Sequence, residues 1–200
     1  KYLVERIGGK HVSVEVMIPK GSDPHDFAPT PSLIMALSKA KIFFTVGMPF
    51  EEQLLKKIGG SGLKTLIVDS TKGITRREMS HEEGESCEHE HGEHCEHGHG
   101  KERENLDPHV WNSIPDLEIM AKNICEALRK EAPQYAEEFK KNLSGLDSEL
   151  AAIQKEITEL LKPFKGRTFY VFHPAFGYFA DSCGLKQKAI ESEGKSPTPK

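Results

Sequence analysis

The sequence predicts an α/β protein of two lobes, each with a parallel-type sheet flanked by helices, joined by one long rigid helix, with the C-terminal lobe incomplete. Three observations predict it. Short apolar strands alternate with amphipathic helices between Val12 and Val68, the pattern that folds as a parallel sheet under helices. A single apolar stripe (Tyr135, Phe139, Leu143, Leu146, Leu150, Ile153, Ile157, Leu160) then steps by four or three through a helix about 40 Å long at 1.5 Å per residue, more than one small lobe needs. After it, a strand, a short helix and part of a strand begin again. The expected boundaries are residues 1–131 for the first lobe, 132–162 for the linking helix and 163–200 for the start of the second lobe.

In chain order, Lys1 to Ile7 reads as the end of a helix already under way, which places the natural N-terminus upstream. Gly8-Gly9 breaks it, and Val12, Val14, Val16 and Ile18 alternate as a half-buried strand does. The loop PKGSDPHDFAPTP follows, its four prolines presetting the backbone. A helix from Pro31 to Lys39 takes Thr30 as N-cap and Pro31 at its first position. Next come a buried strand (Ile42 to Val46), a Gly-Met-Pro turn, a helix (Phe50 to Ile58) and a strand (Thr65 to Val68). Residues 80–104 interrupt the pattern. Order resumes with LDPHVWNSIPD and a helix from Pro115 to Lys130, and Pro133 opens the long helix, where Gly145 costs about 1 kcal/mol relative to Ala and marks a possible bend. Pro163 ends that helix. Arg167 to Phe172 reads as a strand, Ala175 to Cys183 as a helix stopped by Gly184, and Lys186 to Ile190 as the start of another strand.

Composition excludes several classes. With 36% hydrophobic residues the chain can bury a core, and the net charge of -4 is concentrated in one place. Residues 80–104 hold nine acids and two bases, which leaves the remainder near neutral. With no basic cluster interleaved with aromatics, nucleic acid is excluded as a partner. No apolar run approaches the roughly 18 residues that span a bilayer, so no stable membrane insertion of this chain is expected. Cys87, Cys95, Cys125 and Cys183 are too few for a disulfide scaffold and match no zinc-finger spacing, and the pairing of Cys125 with Cys183 is left open.

The chemistry-bearing residues are histidines. His81, His89, His91, His94, His97 and His99, six of ten, fall among glutamates and two thiols in the insert, a composition without apolar periodicity that suits weak metal capture or a solvated charge run. His25 in DPHDF, His109 in DPHVW and His173 in FHPAF each adjoin a proline where a strand or loop turns into a helix. Three imidazoles from separate segments, with a fourth position for carboxylate or water, make a tetrahedral zinc site. His11 has no such setting and is read as exposed. Asp23 and Asp107 either cap their Asp-Pro turns or accept the second ring N–H of the histidine two residues on. Trp111, Phe172, Phe176, Tyr178 and Phe179 form either plain core or a drying shell around the second and third histidines. Glu51 is either a first-turn acid favoured by the helix dipole or a lining of the metal cleft.

The segments GSDPHDFAPTP, LDPHVWNS, FHPAFGYFADSCGLKQKAIES and GKSPTPK resemble, in order and approximate spacing, the ligand-bearing segments of the zinc and manganese solute-binding proteins of bacterial ABC importers. The His-rich acidic loop resembles the insert of the zinc-specific members. The resemblance implies that His25, His109 and His173 are metal ligands and that residues 80–100 form a metal-collecting loop. It implies Zn2+ as cargo over Mn2+, because an imidazole at His173 suits the softer ion where manganese-type members place a carboxylate. It implies an extracytoplasmic protein, periplasmic or anchored at the cell surface, that is not an enzyme and that delivers zinc to an ABC permease of the cytoplasmic membrane. The family carries an earlier strand and a later acidic ligand outside this chain, so the fourth position falls to water, Glu51, an insert residue or another molecule, and a dimer or strand swap is a possible remedy. Two further readings stand beside this one: a metal buffer or adhesin, and a zinc hydrolase, for which no zincin-like carboxylate accompanies the ligands.

Overall fold

The computed structural model describes residues 1–22, 27–58, 64–79 and 106–190. In chain order, with the 3-10 turns left aside, come helices α1 (Tyr2–Gly8) and α2 (Pro31–Lys39), strand β1 (Ile42–Thr45), α3 (Pro49–Ile58), β2 (Leu66–Asp69), α4 (Ile114–Glu131), α5 (Ala136–Leu161), β3 (Thr168–Val171), α6 (Gly177–Cys183) and β4 (Lys186–Ala189). Among the described residues the strands make two parallel pairs, β1 with β2 and β3 with β4. Each pair is closed by a crossover helix, α3 for the first and α6 for the second, so the chain holds two βαβ units on either side of the long helix α5.

Local chemistry sets the helix ends. Thr30 Oγ1 accepts the Leu33 N–H at 3.4 Å ahead of Pro31, and Ser113 Oγ accepts the Asp116 N–H at 3.5 Å ahead of Pro115. Helix α6 stops where Gly184 adopts φ 68°, a left-handed turn that glycine enters without a Cβ penalty.

The main core lies where α1, α4 and α5 meet. Met120, Ala121, Ile124, Cys125 and Leu128 line one face of α4 at helical spacing, and Phe139, Leu146 and Leu150 answer from α5. Ile7 and Val110 fill the space between them, both at 0% exposure. At about 1.5–3 kcal/mol for each large apolar side chain buried, this cluster outweighs anything that four-residue strands supply. A second cluster of Leu37, Phe43, Leu54 and Ile58 seats α2 and α3 against β1. Cys125 and Cys183 are free thiols, and burial pushes the Cys125 thiol up. Among the described residues no helix is long and apolar enough to cross a membrane.

Three expectations change. Val12 to Ile18 does not form a strand: Val12 and Val14 pack on the core as the alternation predicts, but Val16 points out and no strand among the described residues pairs with the segment. Alternation reports which way side chains face and cannot by itself supply a ladder partner. His11 is not an idle surface residue. Its Nε2 lies 2.9 Å from Glu138 Oε2 and its ring stacks on Tyr135 at 3.7 Å, clasping the turn after α1 to the start of α5. The apolar stripe of α5 is buried only in its first half, since Ile153 and Leu160 are exposed. The second βαβ unit is as thinly covered as the sequence predicts, with Phe164, Tyr170, Phe172 and Ile190 open to solvent.

Helix α5 is continuous through Gly145, which is exposed and would meet nothing within 4 Å if given a Cβ. Gly145→Ala is therefore expected to stabilise the protein by about 1 kcal/mol, read as a rise of about 2–4 °C in melting temperature by calorimetry or circular dichroism.

Candidate metal centre

The site grows from the turn Asp107-Pro108-His109. Asp107 Oδ1 accepts the backbone N–H of His109 at 2.9 Å, the self-bonding that makes Asp a turn former, and the same oxygen lies 2.7 Å from His109 Nδ1. The two readings of Asp107 are thus both true at one atom. Because a carboxylate only accepts, Nδ1 carries the ring proton and Nε2 presents its lone pair. Both residues are buried, and the ring of Trp111 meets the His109 ring edge-on at 5.4 Å.

His173 follows β3 in the tight turn that leads to α6, where its carbonyl accepts the Ala175 N–H at 2.8 Å. Its Nε2 stands 3.1 Å from His109 Nε2. Two nitrogens on a tetrahedral zinc at about 2.0–2.1 Å lie about 3.3–3.4 Å apart, so this spacing is within a few tenths of an ångström of a shared ion's.

Tyr178 and Asn112 join the segments that bear the histidines. The Tyr178 hydroxyl donates to the Asp107 carbonyl at 2.8 Å and accepts the Arg77 N–H at 3.1 Å. Asn112 Nδ2 donates to the Ala175 carbonyl at 2.8 Å. The Asp107 N–H donates to the Arg77 carbonyl at 2.9 Å, and an antiparallel bridge pairs Glu78 with Leu106, so the chain leaves for residues 80–105 and returns at one place. The Arg77 guanidinium lies 4.0 Å from Asp107 Oδ2 and 3.6 Å from Asp181.

Of the residues picked from sequence, His109, His173, Asp107 and Trp111 are brought together. Asp23 and His25, and His81, His89, His91, His94, His97 and His99, lie outside the described residues. Among the described residues no group of three or more His, Cys, Asp or Glu side chains is placed to hold an ion. The aromatic shell is smaller than expected: Trp111 and Tyr178 serve it, whereas Phe172 and Phe176 face solvent. Glu51 lies in the first turn of α3, as one of its two readings has it. Its carboxylate accepts the N–H groups of Val46, Gly47 and Met48 at 2.7–3.1 Å, closing the turn between β1 and α3, where Gly47 sits at φ 88°. Burial pushes the carboxyl up, against the pull of these donors. Arg77 and Asn112 escaped the sequence reading; the one signal was the phenol of Tyr178, a buried hydroxyl that requires partners.

A pair of imidazoles, one of them oriented by a buried aspartate, joins the turn ahead of α4 to the turn between β3 and α6, in a fold of two parallel βαβ units. The chain belongs to the family described as zinc-uptake complex component A, periplasmic, whose model it matches over residues 1–200. It is similar to the high-affinity zinc uptake system protein ZnuA of Yersinia pestis, 31% identical over 191 residues that make up 92% of this chain and 60% of that one. It is equally similar to the manganese-binding lipoprotein MntA of Bacillus subtilis, 31% identical over 94% of this chain and 56% of that one. A crystal structure of ZnuA superposes with a TM-score of 0.81 at 32% identity, covering 98% of this chain and 69% of that one. The chain thus spans about three fifths of the length of the curated relatives it matches.

If Glu51 closes a turn, Glu51→Ala strands three backbone donors and should destabilise the metal-free protein by about 1–3 kcal/mol. Denaturant unfolding without metal checks this; a ligand's loss would instead leave metal-free stability unchanged and alter only metal binding.

Proposed function

We propose that this protein captures Zn2+ outside the cytoplasm, in the periplasm or at the cell surface, and hands it to an ABC-type permease in the cytoplasmic membrane. The observation that carries the reading is the 3.1 Å approach of His109 Nε2 to His173 Nε2, with Asp107 fixing the His109 tautomer in which Nε2 is the ligating nitrogen. His25 is the proposed third ligand, and residues 1–131, 132–162 and 163–200 are the proposed first lobe, linking helix and second lobe. The fourth position is assigned to a water or a carboxylate other than Glu51, whose oxygens already serve the β1–α3 turn.

Zinc is favoured over manganese by donor chemistry. Neutral imidazoles suit a borderline-soft ion, while manganese prefers carboxylate and water oxygens. Identity does not separate the two, since the zinc-uptake and manganese-binding relatives match equally well. The insert, with its weaker histidine sites, is an accessory collector. Binding, with no turnover, is the proposed activity, in keeping with a family described by zinc uptake. Nothing in the described contacts supports a dimer or strand swap, and neither is proposed.

The expected result is one tight zinc per chain, bound at least about 100-fold more weakly in His109→Ala and in His173→Ala, and retained when residues 81–99 are deleted. Competition with a chromogenic chelator measures it. Loss of the tight site on deleting the insert, with both alanine variants unchanged, would overturn the assignment.

A further inference from the structure

We propose that Tyr178 is a positioning residue for the metal centre, the latch that holds the His109 segment against the His173 segment. Its hydroxyl is used in both directions: it donates to the Asp107 carbonyl at 2.8 Å and accepts the Arg77 N–H at 3.1 Å. Asp107 in turn orients the His109 ring, and Tyr178 lies five residues beyond His173 on the helix that the His173 turn leads into. The phenol therefore spans the same gap as the imidazole pair, from the other side. Asn112, bonded to the Ala175 carbonyl at 2.8 Å, is a second tie across it. The packing fits a fixed latch. Tyr178 is buried, the Arg77 guanidinium lies 5.8 Å from its ring centre, and that guanidinium fills the space where a Cβ at Gly177 would sit. No atom of Tyr178 reaches the ion; it acts by fixing the Asp107 backbone, and so the height and tilt of His109 relative to His173.

The role rests on the zinc-capture reading above. Tyr178→Phe keeps the ring and removes the hydroxyl, leaving the Arg77 N–H and Asp107 carbonyl without it. Zinc affinity is expected to fall about 10–100-fold, the usual range when a group orienting a ligand is lost. The visible ligand-field spectrum of the Co2+-substituted protein should also change, since it reports ligand geometry, which mere destabilisation of a folded chain would not alter. Tyr170→Phe, at an exposed ring on β3, is expected to leave both unchanged. Affinity within twofold of wild type and an unchanged cobalt spectrum in Tyr178→Phe, with His109→Ala still defective, would overturn the latch alone. Wild-type affinity in His109→Ala would overturn the latch and the capture reading together. A measurement on unaltered protein guards against a variant that does not fold: by reciprocity the ion must tighten the latch, so exchange of the Arg77 amide hydrogen should slow severalfold on adding zinc, and an unchanged rate overturns the role.

Discussion

A carboxylate can be buried only if its surroundings replace the water it gives up, and Asp107 shows how much of this structure follows from that requirement. One oxygen takes both the N–H and the Nδ1–H of His109; the backbone N–H goes to Arg77 and the carbonyl to Tyr178. Every polar group of the residue is engaged, and each partner belongs to a different piece of the fold. The ring of His109, the segment that follows β2 and the helix of the second βαβ unit are all referred to one residue. Proline between Asp107 and His109 restricts the backbone so that the carboxylate and the ring meet without further ordering.

The two imidazole nitrogens lie 3.1 Å apart, within a few tenths of an ångström of the spacing of two ligands on one zinc ion. The bonds from Tyr178 to the Asp107 carbonyl and from Asn112 to the Ala175 carbonyl tie the two segments without reference to an ion, and a site tied in advance spends less affinity on ordering them. The main helical core, gathered on α1, α4 and the first half of α5, stands directly behind Val110, the residue after His109. Stiffness is supplied where the orienting turn needs it and falls away toward the exposed second half of α5.

Much of this was legible in the sequence because the signals are local. The cap at Thr30, prolines at helix starts and Gly184 at a helix end fix boundaries within a residue or two, and Asp107-Pro108-His109 advertises its own turn. What escaped depends on distant partners. The alternation of Val12 to Ile18 could not reveal that no strand among the described residues lies beside it, His11 could not reveal Glu138, and the three donors of Glu51 went unread because they converge only when the Gly47 turn folds back. The same limit hid Arg77 and Asn112, whose bonds cross to segments 101 and 63 residues away. Chemistry at the site was written in residue types; its scaffolding was written in long-range hydrogen bonds.

The Glu78–Leu106 bridge, with the Arg77–Asp107 hydrogen bond beside it, sets the length of a tether. Both ends of the histidine-rich stretch are pinned beside His109, so none of its residues can travel farther from that bridge than half its contour, about 45–50 Å at 3.3–3.6 Å per residue. On the proposed reading, in which those imidazoles collect metal, an ion held on any of them would be confined near the His109–His173 pair at an effective concentration on the order of millimolar. Its transfer to the pair would then be a first-order step, independent of the metal concentration of the surroundings.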